Sequence, residues 1–203
     1  MKRIKYAIIP LCGFALIAGL AIFASAASKP TIAVMDFKNK TNRGGWELGS
    51  GAADMMTTQL VKTRKFTVVE RDKLKTIMKE QNIGATGLVD TKAAEIGKLL
   101  GAQYIVIGAV TEYGSSHSSG SGAGISVAKT IYRTGVDIRI VNASTGEVIF
   151  AENGNGEESA SSGSFLGIGG GDSGAFDEKK GQESMRKAII DVCEKIKKEE
   201  IKD

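Results

Sequence analysis

The sequence predicts an α/β fold: a layered mixed sheet with flanking helices, interrupted by two Gly/Ser-rich inserts. Three observations predict it. Short β-branched apolar runs interleave with stretches whose apolar residues recur at helical spacing. The hydrophobic fraction, 42% of 203 residues, suffices for the core of one domain. Charged residues make up 25%, too few for a wholly disordered chain.

Residues 1–26 read as a segment apart. Lys2, Arg3 and Lys5 give a positive start, Tyr6–Phe23 is an uncharged apolar run, and Ala24-Ser25-Ala26 is a small-residue exit. These are the three parts of a secretory signal peptide. The run from Tyr6 to Ala27 is also long enough for an uncleaved membrane anchor, but the small-residue exit favours cleavage. Cys12 follows Pro10-Leu11 inside the run and fits a lipidation site poorly. The expected product is a domain over residues 27–203, exported to the periplasm, with the outer membrane as a further expected association.

In that domain, Thr31–Phe37 reads as a buried strand and Asn39–Gly45 as a polar loop. Leu48, Ala52, Met55, Met56 and Leu60 mark a helix over Glu47–Lys62. Phe66–Glu70 is a second strand. Leu74, Ile77 and Met78 mark a helix ending near Gln81, and Asp90 or Thr91 can cap a third, which Gly101 ends. Gln103–Tyr113 is a long strand. Val136, Ile138 and Ile140 alternate with Asp137 and Arg139 as a half-buried strand, which turns at Asn142–Gly146 and pairs back over Glu147–Glu152. Met185, Ala188, Ile189, Val192, Cys193 and Ile196 form the stripe of a final helix, and Cys193 on that stripe reads as a buried structural thiol.

The inserts fall at about 114–135 and 152–180. Gly114–Gly124 is almost all Gly and Ser, and Gly154–Gly174 holds 13 Gly or Ser among 21 residues. Such composition buries little apolar surface, so mobility is the default expectation.

Charge and motifs exclude several function classes. The first 26 residues hold three basic groups and no acid, which leaves 24 basic against 23 acidic residues. No basic excess remains to bind nucleic acid. His117 is the one histidine and lies in the first insert. No Cys/His/Asp group has zinc spacing, and no cofactor is expected. Gly167–Gly171 lacks the following Gly-Lys-Ser/Thr of a phosphate loop. At Val68–Asp72, Asp72 suits a helix N-terminus, and Glu70 and Arg71 are expected to pair locally. His117, Glu70 and Asp72 are the only side chains singled out for catalysis, and nothing supports an enzyme.

Ile32–Thr41 (IAVMDFKNKT), Gly51–Leu60 (GAADMMTTQL), Phe66–Leu74 (FTVVERDKL) and Glu80-Gln81 resemble the curli production assembly/transport component family (CsgG/HfaB family). Gly101–Tyr113 and Asp137–Glu147 continue the resemblance in the same order. It covers about residues 31–150 and the terminal helix. It implies a periplasmic α/β domain that assembles as a homo-oligomeric ring and exports unfolded subunits of surface fibres. Two hairpins per subunit would jointly close an outer-membrane barrel, and a loop after the first strand would narrow the pore. On this chain the constriction candidates are Asn39, Asn42 and Trp46; packing at the start of the helix is the other reading of Trp46. The hairpins would fall at the two inserts. Their membrane-facing candidates are Ile125, Val127, Ile131 and Tyr132 in the first, and Phe165, Leu166 and Ile168 in the second. A barrel strand alternates apolar positions over about ten residues, and these inserts supply few. The family's lipid-anchoring cysteine has no clear counterpart.

Two functions follow. The first is a secretion-ring subunit whose partners are further copies of itself and secreted fibre subunits or other envelope proteins. The second is a soluble periplasmic partner-binding module without a pore, for example a regulator of cell-wall synthases.

Overall fold

A computed structural model describes residues 28–80, 90–166, 168–169 and 175–199. The expected signal segment 1–26, Gln81, and Gly167 with Gly170 and Gly171 of the glycine run lie outside the described residues.

The elements run β1 (Thr31–Val34), β2 (Lys38–Asn39), α1 (Gly45–Thr63), β3 (Thr67–Val68), α2 (Arg71–Glu80) and α3 (Asp90–Leu100). They continue with β4 (Tyr104–Gly122), β5 (Ile125–Asn142), β6 (Val148–Phe165), β7 (Ile168–Gly169) and α4 (Glu178–Lys198). The sheet is mixed and ordered β3-β1-β4-β5-β6-β7, with β2 beside β4. β1 is parallel to β3 and β4, whereas β4 to β7 pair antiparallel.

Side-chain alternation along the strands explains the layers. Tyr104, Val106, Ile138 and Ile140 face α1 and α4, where they pack with Met56, Leu60, Met185 and Ile189. Ala33, Ile105, Ile107 and Val141 face the other way, onto Met78 and Leu100 of α2 and α3. The whole predicted stripe of the last helix is buried, Cys193 included. Burial pushes the Cys193 thiol up to about 12, and its Sγ lies 3.5 Å from Met56 Sδ. α4 sits close on β6 because Gly154 and Gly156 face it: a Cβ on Gly156 would lie 1.9 Å from the Ser184 carbonyl oxygen. Asp177 caps α4, its Oδ1 accepting from the N–H groups of Lys179 and Lys180.

Two expectations change. The Gly/Ser stretches continue the strands: β4 runs to Gly122 rather than ending at Tyr113, and β6 runs to Phe165 rather than Glu152. Backbone pairing needs no apolar side chain, and the central strand β5 satisfies both neighbours over its full length. Second, Arg71 does not pair with Glu70. It is 5% exposed and binds Asp36, two residues past β1, and Asp54 of α1. Burial at the first position of α2 turns its guanidinium inward, toward carboxylates distant in sequence.

Candidate functional site

β4, β5 and β6 run past the helices as a three-stranded arm, residues 115–122, 125–131 and 159–165. At about 3.3 Å per residue its length is roughly 25 Å. Directly paired residues share a face, so the register fixes what each face carries.

One face holds small polar side chains. It carries Ser115, His117, Ser119 and Ser121 from β4, Ser126, Ala128 and Thr130 from β5, and Ala160, Ser162 and Ser164 from β6. This face is concave. An open concavity of about 370 Å³ lies on it, bordered by His117, Ser119, Ser126 and Ser162. Along β6 from Glu157 to Phe165 exposed residues alternate with half-buried ones, and the half-buried ones are on this face. The convex face carries Ile125, Val127, Lys129 and Ile131 from β5, Phe165 from β6 and Ile168 from β7, among glycines and serines.

The sequence candidates separate accordingly. Ile125, Val127, Ile131, Phe165 and Ile168 come together on the convex side, with Leu166 in the β6–β7 turn. Tyr132 does not join them: it is 2% exposed, on the opposite face at the foot of the arm, with its ring 5.5 Å from Phe176. Phe176 also meets Tyr113 edge to face at 5.2 Å. Burial raises the Tyr113 hydroxyl to about 12, aided by Glu178, whose Oε2 accepts from it at 3.4 Å.

The loop after β1 reaches the same foot. Arg43 lies over the Phe176 ring, 4.8 Å from its centre. Asn39 shapes this loop: its Nδ2 donates to the carbonyls of Arg43 and Gly45, and its Oδ1 accepts from Thr41 N–H and Oγ1. Asn42 is exposed. Trp46 is 76% exposed in the first turn of α1 and is not packed at the helix start.

Several interactions at the foot were invisible in sequence. Glu158 accepts from Lys187 (2.6 Å) and Lys180 (3.2 Å), which holds its carboxyl below the usual range. The same contact with Glu158, then one with Glu183, raises Lys180. Thr134 and Ser184 share a buried hydroxyl bond of 2.6 Å. Apart from Lys180 and Glu183, one helical turn apart, the partners lie 22 to 50 residues from each other, beyond any local pattern.

The groups singled out for catalysis are scattered. His117 Nδ1 bonds Thr130 Oγ1 across the β4–β5 pair at 2.9 Å. Glu70 and Asp72 are exposed at the start of α2. Among the described residues, no three His, Cys, Asp or Glu side chains gather to hold a metal. No described helix is long and apolar enough to cross a membrane, which leaves crossing by strands open.

The family described as curli production assembly/transport component CsgG matches over residues 17–203. A candidate lipoprotein of Neisseria meningitidis serogroup B is 31% identical over 127 residues, 61% of this chain and 52% of that protein. The chain thus spans about half the length of that curated relative. Among solved structures, lipoprotein GNA1162 of Neisseria meningitidis aligns with TM-score 0.49 at 16% identity, covering 64% of this chain and 84% of that one. A PelC dodecamer of Paraburkholderia phytofirmans gives 0.44 at 16%, covering 80% and 83%. The C-terminal domain of LpoB from Escherichia coli gives 0.43 at 17%, covering 63% and 82%.

Proposed function

We propose, from the premise that this chain belongs to the family of curli production assembly/transport component CsgG, that it is a non-catalytic structural subunit of an envelope export or assembly complex. Membership supports an exported envelope protein. The observation that carries the finer reading is the arm: a curved ribbon with a hydroxyl-rich inner face, an outer face apolar at its end and, among the described residues, strand edges unpaired over most of its length.

The edges matter because unpaired strands invite pairing with another chain. At the foot, α4 blunts the edge of β6. Asp191 accepts from Asn155 N–H, while Lys195 and Lys187 donate to the carbonyls of Asn153 and Glu157. Beyond Glu157 no such cover exists among the described residues until β7 pairs at Ser164 and Phe165. On the other side, β4 has no outer strand partner past Val110 among the described residues. Copies set side by side would bring these edges together and line a conduit with the hydroxyl face. Secreted fibre subunits or other envelope proteins are the cargo on this reading. On this reading the segment from Asn39 through Asn42 to Trp46, whose Arg43 meets Phe176 at the foot of the arm, narrows the passage.

Membrane fractionation at native expression level, followed by sizing of the detergent extract, tests this. The expected result is a large, heat-resistant oligomer in the outer-membrane fraction. A monomer released with the soluble periplasm overturns it.

One observation favours the second reading, a partner-binding module. A groove of about 480 Å³ runs between α1 and α4, with Leu48, Met55, Tyr113 and Met185 along it. That reading expects a soluble monomer whose partner capture is lost on Met55→Glu.

A further inference from the structure

The apolar part of the arm is confined to its end. Read across the sheet, the outermost convex layer is Gly122–Ile125–Phe165–Ile168. The next is Gly120–Val127–Gly163, and the third is Ser118–Lys129–Ser161. Ile125, Val127, Phe165, Leu166 and Ile168 are 50 to 83% exposed. Two layers occupy about 7 Å of strand, and Lys129 stands about 13 Å below the end. A spanning barrel needs an apolar band about 25 Å tall, whereas elements lying in a lipid interface bury about 5–10 Å.

The end is also preformed. The two turns are tied together, Leu166 N–H donating to the Gly124 carbonyl at 2.7 Å. Leu166 sits in the left-handed region at φ 51, a conformation suited to glycine, and keeps its side chain 69% exposed. A strained leucine presented outward points to a contact that uses it.

We infer that the end of the arm inserts into one leaflet of an anionic lipid surface to a depth of two side-chain layers, and does not cross the bilayer. Lys129 carries the charge complementarity: its exposed ammonium, on a long apolar stem, lies at the level of headgroup phosphates. The inference rests on the reading that the arm faces a membrane.

The test uses the full chain with Cys12→Ala and Cys193→Ala, carrying Ile125→Cys, Lys129→Cys or Ile131→Cys labelled with an environment-sensitive fluorophore. It is mixed with phosphatidylethanolamine vesicles with or without phosphatidylglycerol. The label at 125 is expected to be quenched by a lipid-borne quencher near the headgroups. Those at 129 and 131 stay open to a water-borne quencher, entrapped dye is retained, and binding strengthens with phosphatidylglycerol. Leu166→Gly relieves the backbone and removes the side chain, so unlabelled protein keeps or raises its urea midpoint yet loses roughly tenfold or more in vesicle partition. Entry of all three labels with dye release overturns the shallow depth and leaves the export reading standing. Absence of lipid contact in a protein that still forms the large oligomer overturns the inference alone, as does shielding of the 125 label by a second copy without vesicles. A soluble monomer whose end still binds vesicles overturns the export reading and keeps the inference.

Discussion

Gly156 and Gly163 occupy the same strand and the same kind of sequence, yet alanine should affect them in opposite ways. A Cβ on Gly156 would lie 1.9 Å from Ser184 O and 2.6 Å from Ala188 N, both backbone atoms of α4. Ordinary contact begins near about 3.4 Å, so the helix must retreat by roughly 1.5 Å. Overpacking of this kind costs about 1–3 kcal/mol. The retreat also pulls Ser184 from Thr134, a buried 2.6 Å bond, adding about 1 kcal/mol or more. The expected loss for Gly156→Ala is therefore about 2–4 kcal/mol. At Gly163 the nearest atoms to a Cβ are Ser126 O at 3.6 Å and Val127 Cγ1 at 3.8 Å. Nothing must move, and the lost freedom of the unfolded chain stabilises Gly163→Ala by about 0.5 kcal/mol. Urea unfolding of residues 27–203, followed by circular dichroism, measures both. Stabilities within about 1 kcal/mol of each other would refute the claim that α4 rests on the bare backbone of β6.

Two further outcomes are expected. Arg71→Met should cost about 2–4 kcal/mol, less than a fully buried pair because Asp36 and Asp54 are 31% and 63% exposed, whereas Glu70→Ala should change stability by less than about 0.5 kcal/mol; equal effects in urea unfolding would restore the local pairing of Glu70 with Arg71. Tyr113 and Cys193 titrate higher in the fold, each at about 12 against ordinary values of 10.0 and 9.0. Their contribution is complete below the ordinary values and is lost as pH rises toward 12, at up to about 1.4 kcal/mol per pH unit for each group. Urea midpoints between pH 8 and 12 should fall less in Tyr113→Phe and Cys193→Ala than in the parent; parallel curves would contradict burial of both groups.

The legible part of the fold was the part built by apolar burial. Ile32 to Met35 bury both sides and leave an unbroken apolar run, whereas the stripes of α1 and α4 bury one side and leave a helical period in the sequence. The strands of the arm leave none on β4, where every residue from Gly114 to Gly122 is Gly, Ser or His. Their order comes from backbone pairing to β5, which composition does not record. Arg71 was misread for a related reason: its partners stand 35 and 17 positions upstream, and only the sheet brings them together. Of the membrane-facing candidates, all except Tyr132 and the turn residue Leu166 fall on one face. Tyr132 was indistinguishable from Ile131 by type, and only strand parity turns it inward against Phe176.

On β4 the parity is set by one residue. β4 pairs Val110 with Val136 and then Glu112 with Gly135, so Thr111 is an inserted residue, a β-bulge. Before it, Tyr104, Val106 and Val110 face α1 and α4; after it, the odd-numbered Tyr113, Ser115 and His117 take that side. A strand without the insertion would send Tyr113 outward, dismantle its contact with Phe176, and turn Gly114, Ser116 and Ser118 into the concavity. In the sequence the same event appears as the end of the continuous apolar run Tyr104–Val110, followed by the polar pair Thr111-Glu112. The end of that run marks a strand changing its phase rather than a strand stopping, and it falls where the helix-covered sheet becomes the arm. A bulge bends the strand and adds twist, so one inserted threonine both turns the hydroxyls inward and starts the curvature that makes their face concave.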